Sequence, residues 1–180
     1  MPNMVWTLDT THSEVTFSVR HMMFSKVSGS FNRFRATLEI DEIHPEKSWV
    51  EAEAETASID TRDEKRDAHL RSPDFFDTEQ YPLLTFKSKQ VESRGDRRYS
   101  ILGDLTLHGV TKEVTFDAEY GGQIPKEHNP FGDRRAGLTA VTTINRKDFG
   151  LTWNLALETG GIMVGEDVRI EINLEAVAED

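Results

Sequence analysis

The amino-acid sequence predicts an all-β fold, an eight-stranded antiparallel up-and-down barrel with a short helical insert. Three observations point there. Apolar and polar residues alternate along most of the 180-residue chain, clearest where Val168, Ile170, Ile172, Leu174 and Ala176 oppose Arg169, Glu171, Asn173 and Glu175. The runs are linked mostly by short polar turns. One long stretch, Ser58 to Phe86, does not read as strand and turn. A sandwich suits the same strand count, but long strands in sequential hairpins with polar outer faces favour the barrel.

Taken in order, Val5 to Leu8 opens the chain as a short strand, and the polar run Asp9 to Ser13 turns it. From Glu14 to Arg20, Val15, Phe17 and Val19 share the dry face of a strand. His21, Met22, Met23, Phe24 and Ser25 then break the alternation. They fit either an adaptable apolar wall or ordinary core packing at a strand end. From Ser28 to Asp41, past Gly29 as a bulge, Phe34, Ala36, Leu38 and Ile40 share one face. Ser48 to Ala57 sets Val50, Ala52 and Ala54 against Glu51, Glu53 and Glu55.

In the insert, Thr61 and Glu64 fit a capping box ahead of a helix from about Arg62 to Arg71. Ser72-Pro73 reads as a second helix start carrying Asp74, Phe75, Phe76 and Asp77. Tyr81-Pro82 forces extended backbone into a strand from near Leu83, with Leu84 and Phe86 in phase. After the hairpin ESRGDRR, a strand from Tyr99 to Leu107 turns at His108-Gly109 into one carrying Val114, Phe116, Ala118 and Tyr120. Gly121 to Asp133 is the longest irregular loop, a rim or a flap. Leu138, Ala140, Thr142 and Ile144 mark the next strand, and Asn145 to Gly150 one helical turn. Leu151 to Gly165, with Trp153 and the Gly160-Gly161 pair, leads to the last strand.

One domain of this length holds a real core. A net charge of -11 disfavours nucleic acid and anionic membrane surfaces, leaving small molecules or proteins as partners. With no cysteine there is neither disulfide nor thiolate chemistry. The start lacks a basic region and an apolar run, so it reads as cytoplasmic, and no apolar stretch approaches membrane-spanning length. Ala36, Ala52, Ala54, Gly103, Ala118 and Ala140 lie on inward faces among large residues. They leave room for an apolar guest or interlock with their neighbours in a solid interior.

The six histidines show no metal-ligand spacing, and no nucleophile elbow, P-loop or dinucleotide motif is present. Arg62, Lys65, Arg66 and His69 share one helix face, suited to a phosphate or simply to solvent. His21 and His69, set among methionines and aromatics, are the candidate acid or base should the protein be an enzyme.

The segments TLDTTHSEVTFSVRHMMFSKVSGSF, SIDTRDEKRDAHLRSPDFFDTEQYPLLTF, GDLTLHGVTKEVTF and INRKDFGLTWN, in this order and spacing, resemble the YceI family of lipocalin-like polyisoprenoid-binding proteins. The resemblance spans essentially the whole chain. It implies a lipocalin-like barrel with an elongated apolar cavity, no cofactor, and a bound long-chain isoprenoid or similar lipid: a polyprenyl diphosphate, a quinone or a quinone precursor. It also implies a homodimer, while the export signal carried by many relatives is not seen here. On that basis Phe17, Met22, Phe24, Leu70, Phe75, Phe76, Phe86 and Trp153 are expected to contact the apolar tail, and His21, Arg66 and His69 the head group. Arg66, Asp67, Asn145, Arg146 and Asp148 are alternatively locks between insert, turn and barrel. Carriage or storage is the first expectation, ahead of a lipid-modifying enzyme and of an interaction module with incidental lipid.

Overall fold

In a computed structural model, which describes residues 4–155 and 163–178, the alternating runs form strands β1 Val5–Leu8, β2 Glu14–His21, β3 Ser25–Phe31, β4 Phe34–Glu39, β5 Trp49–Glu55 and β6 Ile59–Asp60. They continue as β7 Leu83–Gly95, β8 Arg98–Leu107, β9 Val110–Ile124, β10 Arg135–Asn145 and β11 Val164–Ala178. The barrel is closed, eight-stranded and antiparallel. β11 completes the ring by pairing with both β10 and β1.

The extra strands are broken lengths of the same staves. β1 and β2 lie end to end along β11, interrupted at Asp9 to Ser13, while β4 pairs with β1 and β3 with β2. The break between β3 and β4 falls at Asn32 and Arg33, not at a Gly29 bulge: the ladder runs straight through Gly29, opposite Phe17. Gly29 is small for another reason. A Cβ there would lie 2.5 Å from Phe17 Cζ, so the aromatic ring occupies the space a side chain would fill. Gly103 seats Phe86 in the same way, at 2.6 Å.

Tight turns follow the sequence closely. His108 and Gly109 both take positive φ, as do Asp96 and Arg97, which gives two-residue hairpins a twist matching that of their strands. The Gly121–Asp133 loop is shorter than expected, because β9 pairs with β10 as far as Ile124 and Arg135. The Gly160-Gly161 pair lies outside the described residues.

The insert folds as helix α1, Glu64–Arg71, across one end of the barrel beside β6. Its N-cap is Asp63, whose carboxylate accepts the Lys65 and Arg66 N–H groups at 3.1 Å. The Thr61–Glu64 capping box does not form, because Thr61 is committed elsewhere. Buried Thr61 donates both its N–H and its hydroxyl to Asp67 Oδ1, at 2.9 and 2.5 Å. Ser72-Pro73 begins a turn rather than a second helix. The Phe75 and Asp77 N–H groups both bond the Ser72 carbonyl, and the Phe76 N–H reaches back to the Leu70 carbonyl.

Candidate functional site

Inward side chains along the barrel fall into two classes. Leu105, Leu107, Phe116, Ile144, Phe149 and Leu151 are buried against neighbours. Val50, Ala52, Leu84, Phe86, Leu138, Ile170, Ile172 and Leu174 lie on inward faces yet are only half-buried, because they line empty space. That space is an apolar cavity with Ala36, Ala54 and Ala140 in its walls. The alanines expected to make room therefore do so, whereas Gly103 seats the Phe86 ring and Ala118 is packed in the core. A second space of about 570 Å³ shares Val50, Ile101 and Leu138 with the first and extends toward the loop after β4.

The α1 end of the interior is filled by aromatics. Phe17 packs on Phe31 at 5.5 Å between ring centroids, and Phe31 meets Phe76 edge-on at 5.7 Å. Leu70 joins this group, and Phe76 also touches the Leu105 and Phe149 cluster, so it bridges two parts of the core. Phe75 is buried beside His69 and Trp153, centroids 5.1 and 5.4 Å away, and His69 and Trp153 stand edge-on at 4.7 Å.

Of the residues expected to meet an apolar tail, Phe86 stands in the cavity wall. Phe17, Leu70 and Phe76 build the aromatic floor, and Phe75 and Trp153 flank His69 outside it. Met22 and Phe24 are exposed at the β2–β3 turn, Phe24 at 86%.

The three residues expected at a head group are not assembled into one site. His21 ends β2, laddered to Ser25 and Val164. His69 Nε2 lies 2.9 Å from Asp74 Oδ2. Arg66 turns back on the chain, donating from Nε to Thr61 Oγ1 at 2.7 Å and from Nη2 to the Thr61 carbonyl at 2.6 Å. With Asp67 it ties the start of the insert together, one of the two roles the sequence left open.

Arg146 takes a similar part at the other turn. It is buried, and its guanidinium donates to the carbonyls of Gly165, Leu151, Trp153 and Val164 at 2.6–3.2 Å. Burial pulls its pKa below the ordinary arginine value. Asn145 caps the Arg146–Phe149 turn, and Gly150 ends it with φ of 78°.

The far end of the cavity is polar in a way the sequence did not mark. Glu39, Asp41, Glu42, Ser48, Trp49, Tyr99 and Tyr120 edge it, and Glu42 is exposed, so the space reaches the surface there. Trp49 Nε1 donates to Glu39 Oε2 at 2.6 Å, and the Tyr120 hydroxyl donates to Glu42 Oε1 at 2.6 Å. Burial, then the Glu42 bond, raises the Tyr120 pKa well above the ordinary phenol value. The period-2 phase had already turned Leu38, Tyr99 and Tyr120 inward. No spacing rule announced that the acids of β4 and its loop would meet β9.

On the rim, Asp9, His12 and Glu175 each bring one potential metal-ligand atom within 4.8 Å of the others. A cation already serves them. Arg135 Nη1 lies 2.7 Å from both Asp9 Oδ2 and Glu175 Oε1, and Arg135 Nε bonds Asp133 at 2.8 Å.

Comparison with known proteins places this geometry in context. The family model described as YceI-like domain matches residues 6–176. A UPF0312 protein of Staphylococcus aureus strain N315 is 40% identical over 171 residues, 94% of this chain and 95% of the relative. The crystal structure of Burkholderia cenocepacia BcnA superposes with a TM-score of 0.81 at 23% identity, covering 93% of this chain and 98% of that one. The Campylobacter jejuni YCEI protein gives 0.74 at 30% identity, covering 96% and 97%. A polyisoprenoid binding domain from Saccharophagus degradans gives 0.69 at 15% identity, covering 98% and 99%.

Proposed function

The chain belongs to the family of YceI-like domains, and from that premise we propose that its barrel holds the apolar tail of a long-chain isoprenoid or similar lipid, for carriage or storage. The observation that carries this is the row of inward apolar side chains, Val50, Leu84, Phe86, Leu138, Ile170 and Ile172, left only half-buried around a shared apolar space. Uncovered apolar surface is a standing cost of roughly 25 cal/mol per Å², relieved when an apolar chain fills the space. A solved barrel of the same fold, described as a polyisoprenoid binding domain, supports the choice of guest.

The energetics favour a tail-driven binder. Each methylene moved from water is worth about 0.8 kcal/mol, so a five-carbon isoprenoid unit contributes roughly 3 to 4 kcal/mol before association costs. Phe86, Leu138, Ile170 and Ile172 form the walls for that tail, and Phe17 and Phe76 the floor where it ends. The cavity walls carry no histidine, which supports binding without catalysis over an enzyme working through His21 or His69.

Native mass spectrometry of gently purified protein, followed by organic extraction, tests the proposal. A stoichiometric long-chain lipid is expected. Ala52→Phe, which places a ring in the middle of the cavity, should retain the melting profile of the empty barrel while losing the lipid. Empty protein that takes up no added prenyl lipid would overturn the assignment.

A further inference from the structure

The two ends of the interior differ in chemistry. At the α1 end Phe17, Phe31 and Phe76 pack ring against ring with only apolar neighbours in their cluster. At the other end the cavity reaches the surface between Glu39, Asp41 and Glu42, and no lysine, arginine or histidine lines that 570 Å³ space. A tail seated against the aromatic floor therefore sends its head group toward carboxylates.

These acids retain acceptor capacity. Glu39 accepts one bond from the Trp49 indole and Glu42 one from the Tyr120 hydroxyl, whereas an ionised carboxylate offers about four lone-pair sites. Asp41 is turned to its own loop, accepting the Ile43 and His44 N–H groups at 3.0 and 2.8 Å. Those bonds, the His44 one foremost, hold its pKa below the ordinary carboxylate value.

We propose that the ligand of this cavity carries a hydrogen-bond-donating head, a hydroxyl or a protonated amine, and that phosphorylated prenyl chains are excluded at Glu39 and Glu42. A donor head forms a charge-assisted bond to a carboxylate. A diphosphate there meets the like charge of Glu39 and Glu42, and the nearby cations of the loop, His44 and Lys47, already act on Asp41. The inference deepens the lipid-binding proposal and rests on it. It also sets the head group away from the basic helix face. Arg66 is spent on Thr61, and α1 lies beside β6 at the floor end.

Three ligands with one twenty-carbon tail, geranylgeraniol, geranylgeranylamine and geranylgeranyl diphosphate, separate the two proposals when titrated into delipidated full-length protein and read by native mass spectrometry. The alcohol and amine are expected to bind, with the diphosphate at least about tenfold weaker, a gap of about 1.4 kcal/mol. Glu39→Gln combined with Glu42→Gln should narrow the gap. Glu42→Lys, checked for an unchanged circular dichroism spectrum because it removes the acceptor of the Tyr120 hydroxyl, should raise diphosphate affinity. Diphosphate binding as tight as that of the alcohol overturns the head-group assignment and leaves the tail assignment standing. A gap indifferent to both variants overturns the role of these carboxylates. Failure of all three ligands to bind overturns the lipid proposal itself.

Discussion

Single residues show most clearly how a polar cluster can look like one thing and be another. Asp9, His12, Asp133 and Glu175 gather around Arg135 at the rim, where the acids and a histidine have the makings of a metal site. The guanidinium fills the cation's place and has its own pKa raised, by Asp133 first, then Asp9 and Glu175. Bonds from Thr11, Arg135 and His12 hold Asp9 far below the ordinary carboxylate range. The Asp9 hydrogen bond, its charge and that of Glu175 raise His12 above its ordinary 6.5, against a smaller opposing effect of Arg135. The signs differ. Asp9 contributes stability above its unfolded value near 3.8, and that contribution is lost as pH falls through its depressed folded value. His12 contributes fully below 6.5, and its contribution is lost as pH rises through its raised folded value. Urea unfolding across pH should therefore show Asp9→Asn flattening the acid limb below about pH 4. The margin of wild type over His12→Gln should shrink as pH rises above about 6.5, through the raised folded value. A margin that grows over that interval would mean His12 is not ion-paired in solution.

Among the elements, the insert departs most from its sequence pattern while keeping its place. The helix falls where expected, but the cap moves from Thr61 to Asp63 because Asp67, on the helix itself, claims Thr61. Asp67 is the centre of that exchange, buried and accepting two bonds from Thr61. Thr61 Oγ1 in turn accepts the Arg66 Nε–H. Removing the carboxylate strands a buried N–H and a hydroxyl, each unsatisfied group costing about 1–3 kcal/mol. Asp67→Ala should loosen the insert, read as faster amide exchange over residues 61–76, with β8 and β9 protection little changed. Uniform loss of protection across the barrel would show instead that insert and barrel unfold as one unit. The helix face of Arg62, Lys65, Arg66 and His69 was legible as a periodicity but not as a surface. Two of its members are drawn into local bonds, with Thr61 and Asp74, that no spacing rule foretells.

For the whole molecule, the barrel is held by a continuous ring of ladders, and its interior is deliberately incomplete along one axis. Filling that interior should stabilise the fold by mass action, by about 2.7 kcal/mol at a free ligand concentration one hundred times Kd. For a chain of this size that is a rise of roughly 5–10 °C in melting temperature. Delipidated protein titrated with a bound-class lipid and followed by calorimetry checks it. An unchanged transition at saturating lipid would place the lipid outside the cavity. Strand phase, hairpin turns, the one helical insert and the inward alanines were all determined by the sequence alone, because each depends on neighbours two to four residues away. The contents of the cavity's two ends were decided only in the tertiary structure. The β2–β3 hairpin and the folded-back insert bring Phe17, Phe31 and Phe76 together as a floor, and the closed barrel sets Tyr120 of β9 against Glu42 across 78 residues of chain. Local pattern specifies which face of a strand is dry. Which charges stand at the mouth follows from the register in which distant strands close.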